Sequence, residues 1–432
     1  MLKLIFLISQ VYLTEEEAVK KALSNSLIKS KIEEINSVNY SRNQVIKSFL
    51  PELNSSFTYT HSTFVDRITQ YVLVGIDPVT LQPIYQPVEI TFGKAERRIL
   101  NVTLEYLIFS GFQRLYMLKM MNSLRDSKLM EKELKEKEVE FLVRMLYNQG
   151  LFLKYALNKY KKIIEILEEH IKVAKKRYEA GFTIELDYLR SEAEKKQLES
   201  TLSDFEKFYI RVISSLKTFC NIDTKDEVIL VDSLVPDTIF EEKTPSRLDL
   251  MILIKNIEML DYNKKSAYSN FMPKVFGSVN FNYGKPYGFF RDVWDYYFQY
   301  NLYISFPLFD FSKRLDEIRK READKKALEY LLDFTKKKIE EDIISAKKEF
   351  ESAINSFEFS KKSLELTQKS LDISKSQYEK GFISNTDFLD ALRKYLEAQV
   401  MYLNSLFKLK EAKIKYESTL YGVNFDFGKG GE

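Results

Sequence analysis

Hydrophobic positions recur along this chain at two different spacings. In four long stretches, apolar residues follow one another at steps of three and four among dense Lys and Glu, which is the pattern of an amphipathic helix. All nine prolines fall outside these stretches, as expected because proline interrupts a helix interior. The predicted helical stretches are residues 112–178, 184–221, 312–378 and 384–421.

The first and third of these stretches each run to about 67 residues. At a rise of 1.5 Å per residue such a helix is roughly 100 Å long. Helices of this length exceed those of ordinary globular domains, so the pattern predicts coiled-coil-like rods.

In four other segments the period changes to two. Leu53 and Phe57 alternate with Asn54 and Ser56, for example, so that one face of the predicted strand is apolar and the other polar. A soluble β-sandwich also alternates in this way. However, strands of about 9 to 11 residues with an apolar outer face and a polar inner face are typical of transmembrane β-strands. The predicted strands are residues 52–62, 97–109, 274–284 and 296–309.

The same order of elements occurs twice: helix, two strands, long helix, interruption, helix. Phe49-Leu50-Pro51 precedes the first strand pair and Phe271-Met272-Pro273 precedes the second, which indicates an internal duplication. We predict a first repeat over residues 13–221, a linker over 222–244, a second repeat over 245–422 and a tail over 423–432. The apolar residues 1–12 are a possible export signal or a first core segment, and the proline-containing segment 64–94 is predicted to be a long loop.

Composition excludes several classes of function. The chain has 432 residues, 45% of them hydrophobic, and a net charge of +3, which predicts a folded protein with no nucleic-acid partner. Cys220 is the single cysteine and the histidines are His61 and His170, so an internal disulfide and a Cys/His zinc site are excluded by count. No glycine-rich phosphate loop or nucleophile–base pair is evident, and we expect no enzymatic activity, cofactor or metal.

Four transmembrane strands cannot close a barrel by themselves, and an open edge in lipid leaves backbone groups without hydrogen bonds. Two copies would give eight strands with a nearly filled interior, whereas three copies would give twelve strands and a wet lumen. The small polar residues of the inner face favour three. The predicted fold class is therefore mixed α and β: a trimeric β-barrel, four strands per chain and twelve in total, continued by a long α-helical coiled-coil barrel.

The two interruptions between long helices lie at residues 178–184 and 378–384, here called the first and second tips. Gly181 and Gly381 stand where each long helix ends, and glycine tolerates the left-handed backbone that reverses a chain. Ser384 is a predicted N-cap of the return helix, with Asp387 at its third position. The tips are therefore predicted to be helical hairpin turns at the far end of the tube.

Asp387 and Asp390 are three residues apart and project from one face of a first helical turn. One interpretation is a favourable interaction with the helix N-terminus. The other is that threefold symmetry stacks two carboxylate rings, which would select cations at a narrow entrance. The first repeat retains Asp187 but has Arg190 where the second has Asp390, which suggests that only the second tip faces the axis.

Both tips contain Tyr-x-x-Gly-Phe, at 178–182 and 378–382, and the second continues into Asp-Phe-Leu-Asp at 387–390. Together with the duplicated layout, these motifs resemble the TolC-like outer-membrane efflux proteins, or outer membrane factors, over nearly the whole chain from Leu13 to Gly422. The resemblance implies an outer-membrane homotrimer with a long periplasmic helical portion. It also implies a passive exit duct of a tripartite efflux or type I secretion system, with a periplasmic adaptor (membrane fusion protein) and an inner-membrane transporter as partners.

The resemblance also implies roles for individual residues. Asp387 and Asp390 would form the entrance constriction, and Tyr378 and Asp187 would belong to the contacts that close it. Some members have an arginine two residues after the second tip glycine, where this chain has Ile383, so its closing contacts are expected to differ. A soluble coiled-coil scaffold is the alternative function. The predicted adaptor-contacting residues are Ala180, Gly181, Phe182, Lys380, Gly381 and Phe382.

Overall fold

The computed structural model describes residues 10–63, 66–92, 94–239, 244–287 and 291–423. The strands are β1 (Gln10–Leu13), β2 (Glu52–His61), β3 (Asp66–Ile76), β4 (Pro83–Phe92), β5 (Glu96–Phe109), β6 (Glu227–Leu230), β7 (Lys274–Lys285) and β8 (Asp295–Ser305). The helices are α1 (Glu15–Ala22), α2 (Ser26–Lys47), α3 (Gln113–Glu179), α4 (Glu185–Phe219), α5 (Leu248–Tyr268), α6 (Lys313–Glu379) and α7 (Asn385–Tyr421), with a 3-10 turn at Ser269–Phe271.

Two helical hairpins, α3–α4 and α6–α7, account for much of the chain. The helices α3 and α6 both have 67 residues, as their hydrophobic period predicted. Many of their charged side chains form pairs one turn apart, such as Lys132 with Glu136 at 2.7 Å and Lys369 with Glu365 at 3.1 Å. Each exposed pair contributes little to stability, so packing of the apolar faces holds these helices in place.

The four predicted strands form one antiparallel sheet in the order β2-β5-β7-β8. Each repeat contributes two neighbouring strands, and the repeats meet where β5 pairs with β7. The fold predicted for these segments is confirmed. The last strand ends at Ser305 rather than at 309, because Pro307 lacks the N–H that a continuing ladder would use.

The two faces of this sheet differ in polarity, as the alternation predicted. Phe57, Leu100, Tyr283 and Tyr296 occupy one row across the four strands, and all four side chains are exposed. An exposed apolar row of this width is unusual for a protein surface in water.

The opposite face carries a ladder of amides and hydroxyls. Asn101 Nδ2 donates to Asn282 Oδ1 at 2.8 Å, and Thr103 Oγ1 donates to Asn280 Oδ1 at 2.7 Å, joining the two repeats across β5 and β7. These bonds satisfy polar groups on a face whose neighbours are also polar. One side of the sheet is thus suited to lipid and the other to water.

The segment predicted to be a long loop contains a β-hairpin instead. Strands β3 and β4 pair with each other in a separate two-stranded sheet, with Ile68 opposite Ile90 and Val72 opposite Gln86. Pro83 and Pro87, which suggested a loop, lie in β4. Because β4 is an edge strand, its outer side needs no backbone donors, and proline is tolerated there.

The chain divides into two compact units, and the division falls within the helices. One unit comprises Ser37–Arg125 and Asn256–Leu328 and contains the four-stranded sheet and the β3–β4 hairpin. The other comprises Met1–Asn36, Asp126–Lys255 and Glu329–Glu432 and contains both tips. None of the described helices combines the length and apolar character that a membrane span would need.

In the second of these units, β1 pairs in parallel with β6 beside a buried apolar cluster. Residues 10–12 of the possible export signal belong to β1, while residues 1–9 lie outside the described part of the chain. The predicted linker over 222–244 contains β6, and its residues 240–243 are not described. Of the predicted tail, Val423 is described and buried, and residues 424–432 lie outside the description.

Tyr147 connects the strands of this small sheet to α3. Its side chain is fully buried, its Oη donates to the Leu13 carbonyl at 2.8 Å, and the Asp232 N–H donates to Oη at 3.3 Å. Burial, the largest influence, raises the pKa of the Tyr147 hydroxyl, so it remains a neutral donor over the physiological range.

We predict that Tyr147→Phe lowers the free energy of unfolding by about 1–3 kcal/mol, because the Asp232 N–H loses its acceptor and the Leu13 carbonyl keeps only its bond from the Val231 N–H. Thermal unfolding followed by circular dichroism measures the effect. Tyr330→Phe is the matched control, since Tyr330 is 76% exposed on α6. Equal melting temperatures for the two variants would contradict the assigned role of the hydroxyl.

Candidate functional site

The two tips reverse the chain by the same backbone geometry. The first joins the end of α3 at Glu179 to α4, and the second joins the end of α6 at Glu379 to α7. Gly181 and Gly381 have φ of +78° and +81°, which confirms the predicted left-handed positions. Two backbone hydrogen bonds close each turn. The glycine N–H donates to the carbonyl three residues earlier, at 2.9 Å in both tips. The N–H of the following phenylalanine donates to the carbonyl five residues before it, at 2.8 Å in the first tip and 2.9 Å in the second. This is the Schellman arrangement that ends many helices.

The return helices begin differently after the two tips. Ser384 caps α7: its Oγ accepts from the Asp387 N–H at 3.2 Å, and Asp387 Oδ2 accepts from the Ser384 N–H at 3.1 Å. The predicted N-cap is therefore confirmed, with the reciprocal bonds of a capping box. In the first tip the N-cap position of α4 is Ile184, which makes no side-chain cap bond. The Ser384 hydroxyl and then its N–H hold the pKa of Asp387 below its ordinary value.

Asp390 lies one turn further along α7 and is exposed. Arg393 Nη1 donates to Asp390 Oδ1 at 3.4 Å, while its Nη2 donates to Glu194 Oε2 on α4 at 3.1 Å. Arg393 therefore links the second return helix to the first. The two predicted constriction carboxylates have different local partners, since Asp387 belongs to the helix cap and Asp390 faces an arginine.

Asn385, the first residue of α7, joins the two hairpins from a buried position. Its Nδ2 donates to the Asp187 carbonyl at 2.7 Å. This bond fixes the orientation of the amide, so Oδ1 accepts from His170 Nε2 on α3 at 2.6 Å. Ser191 Oγ lies 3.4 Å from the same Oδ1 and 3.1 Å from the Asp187 carbonyl oxygen, so it can donate to either.

The His170 ring is packed between aromatic rings of the other hairpin. It stacks on Phe388 with centroids 4.0 Å apart and planes at 19°, and its centroid lies 4.6 Å from that of Tyr378. Burial lowers the pKa of His170, and the positive charge of Arg177 adds to this lowering. The Asn385 hydrogen bond and the charge of Asp187 oppose it.

Arg177 reaches from the first tip to the second. Its Nη1 donates to the Tyr378 carbonyl at 2.7 Å, and its guanidinium carbon lies 5.0 Å from the centroid of the Tyr378 ring. Tyr378 is only 3% exposed, and burial raises the pKa of its hydroxyl. Within the described part of the chain, that hydroxyl has no hydrogen-bond partner.

Residue 383, where some members of the family have an arginine, is an apolar and packed isoleucine in this chain. Ile383 lies against the buried apolar cluster beneath the tips. Guanidinium groups instead come from the first hairpin, where Arg190 Nη1 donates to Thr386 Oγ1 at 3.2 Å and Arg177 contacts the second tip as described above.

The outermost residues of both tips are open to solvent. Phe182 and Phe382 are 78% and 77% exposed. Large exposed aromatic side chains at the end of a hairpin are typical of contact surfaces. The other predicted contact residues, Ala180, Gly181, Lys380 and Gly381, are exposed as well.

Sequence comparison finds one family that part of the chain resembles. Residues 245–415, within the second repeat, match the family model described as "Outer membrane efflux protein". The chain is thus similar to the outer membrane efflux proteins over this segment, which is about two fifths of its length. The predicted resemblance to this family is thereby confirmed for residues 245–415. Among curated proteins, none is similar enough in sequence to count as a match.

Solved structures share the fold of this chain over nearly its whole length. The CmeC outer membrane channel of Campylobacter jejuni has a TM-score of 0.77 at 14% identity, covering 94% of this chain and 85% of that one. The outer membrane protein VceC of Vibrio cholerae has a TM-score of 0.75 at 13% identity, covering 95% and 97%. The MtrE outer membrane channel of Neisseria gonorrhoeae, solved in an open state, has a TM-score of 0.75 at 14% identity, covering 95% and 89%.

Several residues at the two tips were missed by sequence reasoning. They share one property, which is that they contact the other hairpin. One signal was available for His170, which follows Ile163 and Leu167 and precedes Ala174 at helical spacing on a buried face. The missed residues are His170, Arg177, Ser191, Glu194, Asn385, Thr386 and Arg393.

We predict that Gly381→Ala destabilises the tip in which it lies more than Gly181→Ala does. Both substitutions place a side chain in a left-handed backbone, at a cost of about 1–2 kcal/mol each. A Cβ at Gly381 would also lie 3.2 Å from Arg177 Nη2, whereas nothing lies within 4 Å of a Cβ at Gly181.

The rate of limited proteolysis at the tips, compared between the two variants, measures this difference. Gly181→Ala is the matched control because it has the same backbone strain without the contact to Arg177. Equal cleavage rates would mean that the Arg177 contact does not stabilise the second tip.

Proposed function

We propose that this protein is the outer-membrane exit duct of a tripartite efflux or type I secretion system. It would act as a homotrimer that passively conducts substrates across the periplasm and the outer membrane. The observation that carries the proposal is the four-stranded sheet with one exposed apolar face and one polar face, whose two edges have no further strand neighbour among the described residues. Such a sheet is complete only when its edges are paired.

Pairing β8 of one chain with β2 of the next would close the sheet. Three copies give twelve strands, a number that leaves a lumen lined by the amide and hydroxyl ladder and an outer surface lined by rows such as that of Phe57. Cyclic symmetry would then bring three pairs of helical hairpins around one axis.

The tips would form the entrance to this tube. Asp387 and Asp390 are both exposed on the first turns of α7, and the capping box holds Asp387 in a fixed position. Repeated three times around an axis, they would form two carboxylate rings that attract cations. Cation attraction at the constriction is the role we assign to this pair.

Tyr378 and Asp187 would belong to the contacts that keep the entrance closed. Tyr378 is held against the first hairpin by Arg177, and the backbone of Asp187 receives Asn385. Outward movement of the second hairpin would have to break both hydrogen bonds. We propose that Arg177 supplies the guanidinium contact that residue 383 cannot make.

The exposed tip residues would meet the hairpins of a periplasmic adaptor. Phe182 and Phe382 offer apolar anchors, and the glycines permit close approach of another backbone. The adaptor would in turn couple the duct to an inner-membrane transporter, which would supply the energy for transport.

The first test is planar-bilayer conductance of the purified, detergent-extracted protein, with its mass measured in parallel. We expect cation-selective channels from a particle with the mass of three chains. A monomer that stays soluble without detergent and gives no conductance would contradict the duct and favour a helical scaffold.

We predict that Asp387→Asn combined with Asp390→Asn lowers the ratio of cation to anion permeability by about threefold or more, because both rings lose their charge. The trimer should persist, since asparagine can still accept the cap bond and Arg393 retains Glu194. Reversal potentials in a salt gradient measure the ratio.

Asp333→Asn is the matched control, because Asp333 is an exposed carboxylate on α6 that pairs with Lys337. Unchanged selectivity in the double variant would limit Asp387 and Asp390 to stabilising the start of α7.

A further inference from the structure

His170 occupies an unusual place for an ionisable side chain. It is only 7% exposed, yet its hydrogen bond and its aromatic contacts reach the opposite hairpin: Nε2 donates to Asn385 Oδ1 at 2.6 Å, and its ring stacks on Phe388 and lies tilted against Tyr378. Asn385 and Phe388 flank Asp387 in the first turn of α7. The imidazole therefore contacts the helical turn that carries one candidate constriction carboxylate and precedes the other.

We propose that His170 is a positioning residue that ties the start of α7 to the first hairpin, and that protonation of its imidazole loosens this contact and favours opening of the entrance. The proposal deepens the function proposed above and rests on it.

The charged groups around His170 decide the direction of the effect. Arg177 from α3 and Asp187 from α4 act on it with opposite signs, Tyr378 from α6 is a neutral phenol, and α7 contacts it through Asn385 and Phe388. Desolvation outweighs the attraction of Asp187, because the ring is enclosed by aromatic side chains. A positive charge on the ring is therefore less favourable in the packed site than in water.

The pH dependence follows from proton binding. The packed site lowers the pKa of His170 below its ordinary value of 6.5, so an opened site binds more protons as the pH falls below that value. The contribution of neutral His170 to the stability of the closed tips is fully present above pH 6.5 and is lost as the pH falls below that value. At about pH 5.5 the protonated form of an exposed imidazole is about ten times as abundant as the neutral form. The equilibrium between the closed and the open entrance can therefore shift by at most about tenfold per chain.

The test compares channel open probability at about pH 7.5 and about pH 5.5, values that bracket the ordinary pKa of histidine. We expect the wild-type trimer to open more at the lower pH. His170→Gln retains an N–H donor but cannot titrate in this range, so its opening should be equal at the two values. His170→Phe keeps a ring but removes the donor to Asn385, so it should open more than His170→Gln at the higher pH.

His61→Gln is the matched control, because His61 is the other histidine of the chain and lies on β2 in the sheet. It should respond to pH as the wild type does. A wild type that does not respond, or a His170→Gln variant that responds as the wild type does, would overturn the inference while leaving the duct intact. Absence of channels in every variant would instead overturn the proposed function.

Discussion

The free edges of the four-stranded sheet constrain everything else about this protein. Within the described residues, β2 and β8 each have one strand neighbour, and the outer backbone groups of both need hydrogen-bond partners if the apolar face lies in lipid. Short edges could be covered by a loop, but these strands have 10 and 11 residues. Further copies of the same chain can supply these hydrogen-bond partners, because β8 of one copy can pair with β2 of the next.

Duplication supplied two similar hairpins, and divergence between them allows them to bind each other. Residues common to both tips, such as Gly181 and Gly381, build the local turn. Contacts between the tips use positions that differ. Arg177 has Gln377 as its counterpart, His170 has Ser370, Asn385 has Glu185 and Arg190 has Asp390. Because the counterpart residues carry different groups, each of these contacts is made once and has no equivalent with the two hairpins exchanged.

Hydrogen bonds rather than apolar area distinguish the end of the tips from the helices below them. Beneath the tips, Leu167, Leu198 and Leu392 belong to one buried apolar cluster, which stabilises the hairpins without fixing the position of one turn against another. The directional bonds of Asn385 and Arg177 supply that register. Opening at this level would break a few polar contacts while the apolar cluster below remained packed.

The sequence by itself determined the local features: the helix lengths, the alternating strands, the two glycine turns and the Ser384 cap. Each depends on residues close together in the chain, whose periodicity and backbone preferences are visible in the letters. Only the tertiary structure decided that β5 pairs with β7, that residues 66–92 include a hairpin, and that His170 meets Asn385. These pairings join residues up to 215 positions apart, and their register is set by packing between elements, which no local pattern encodes.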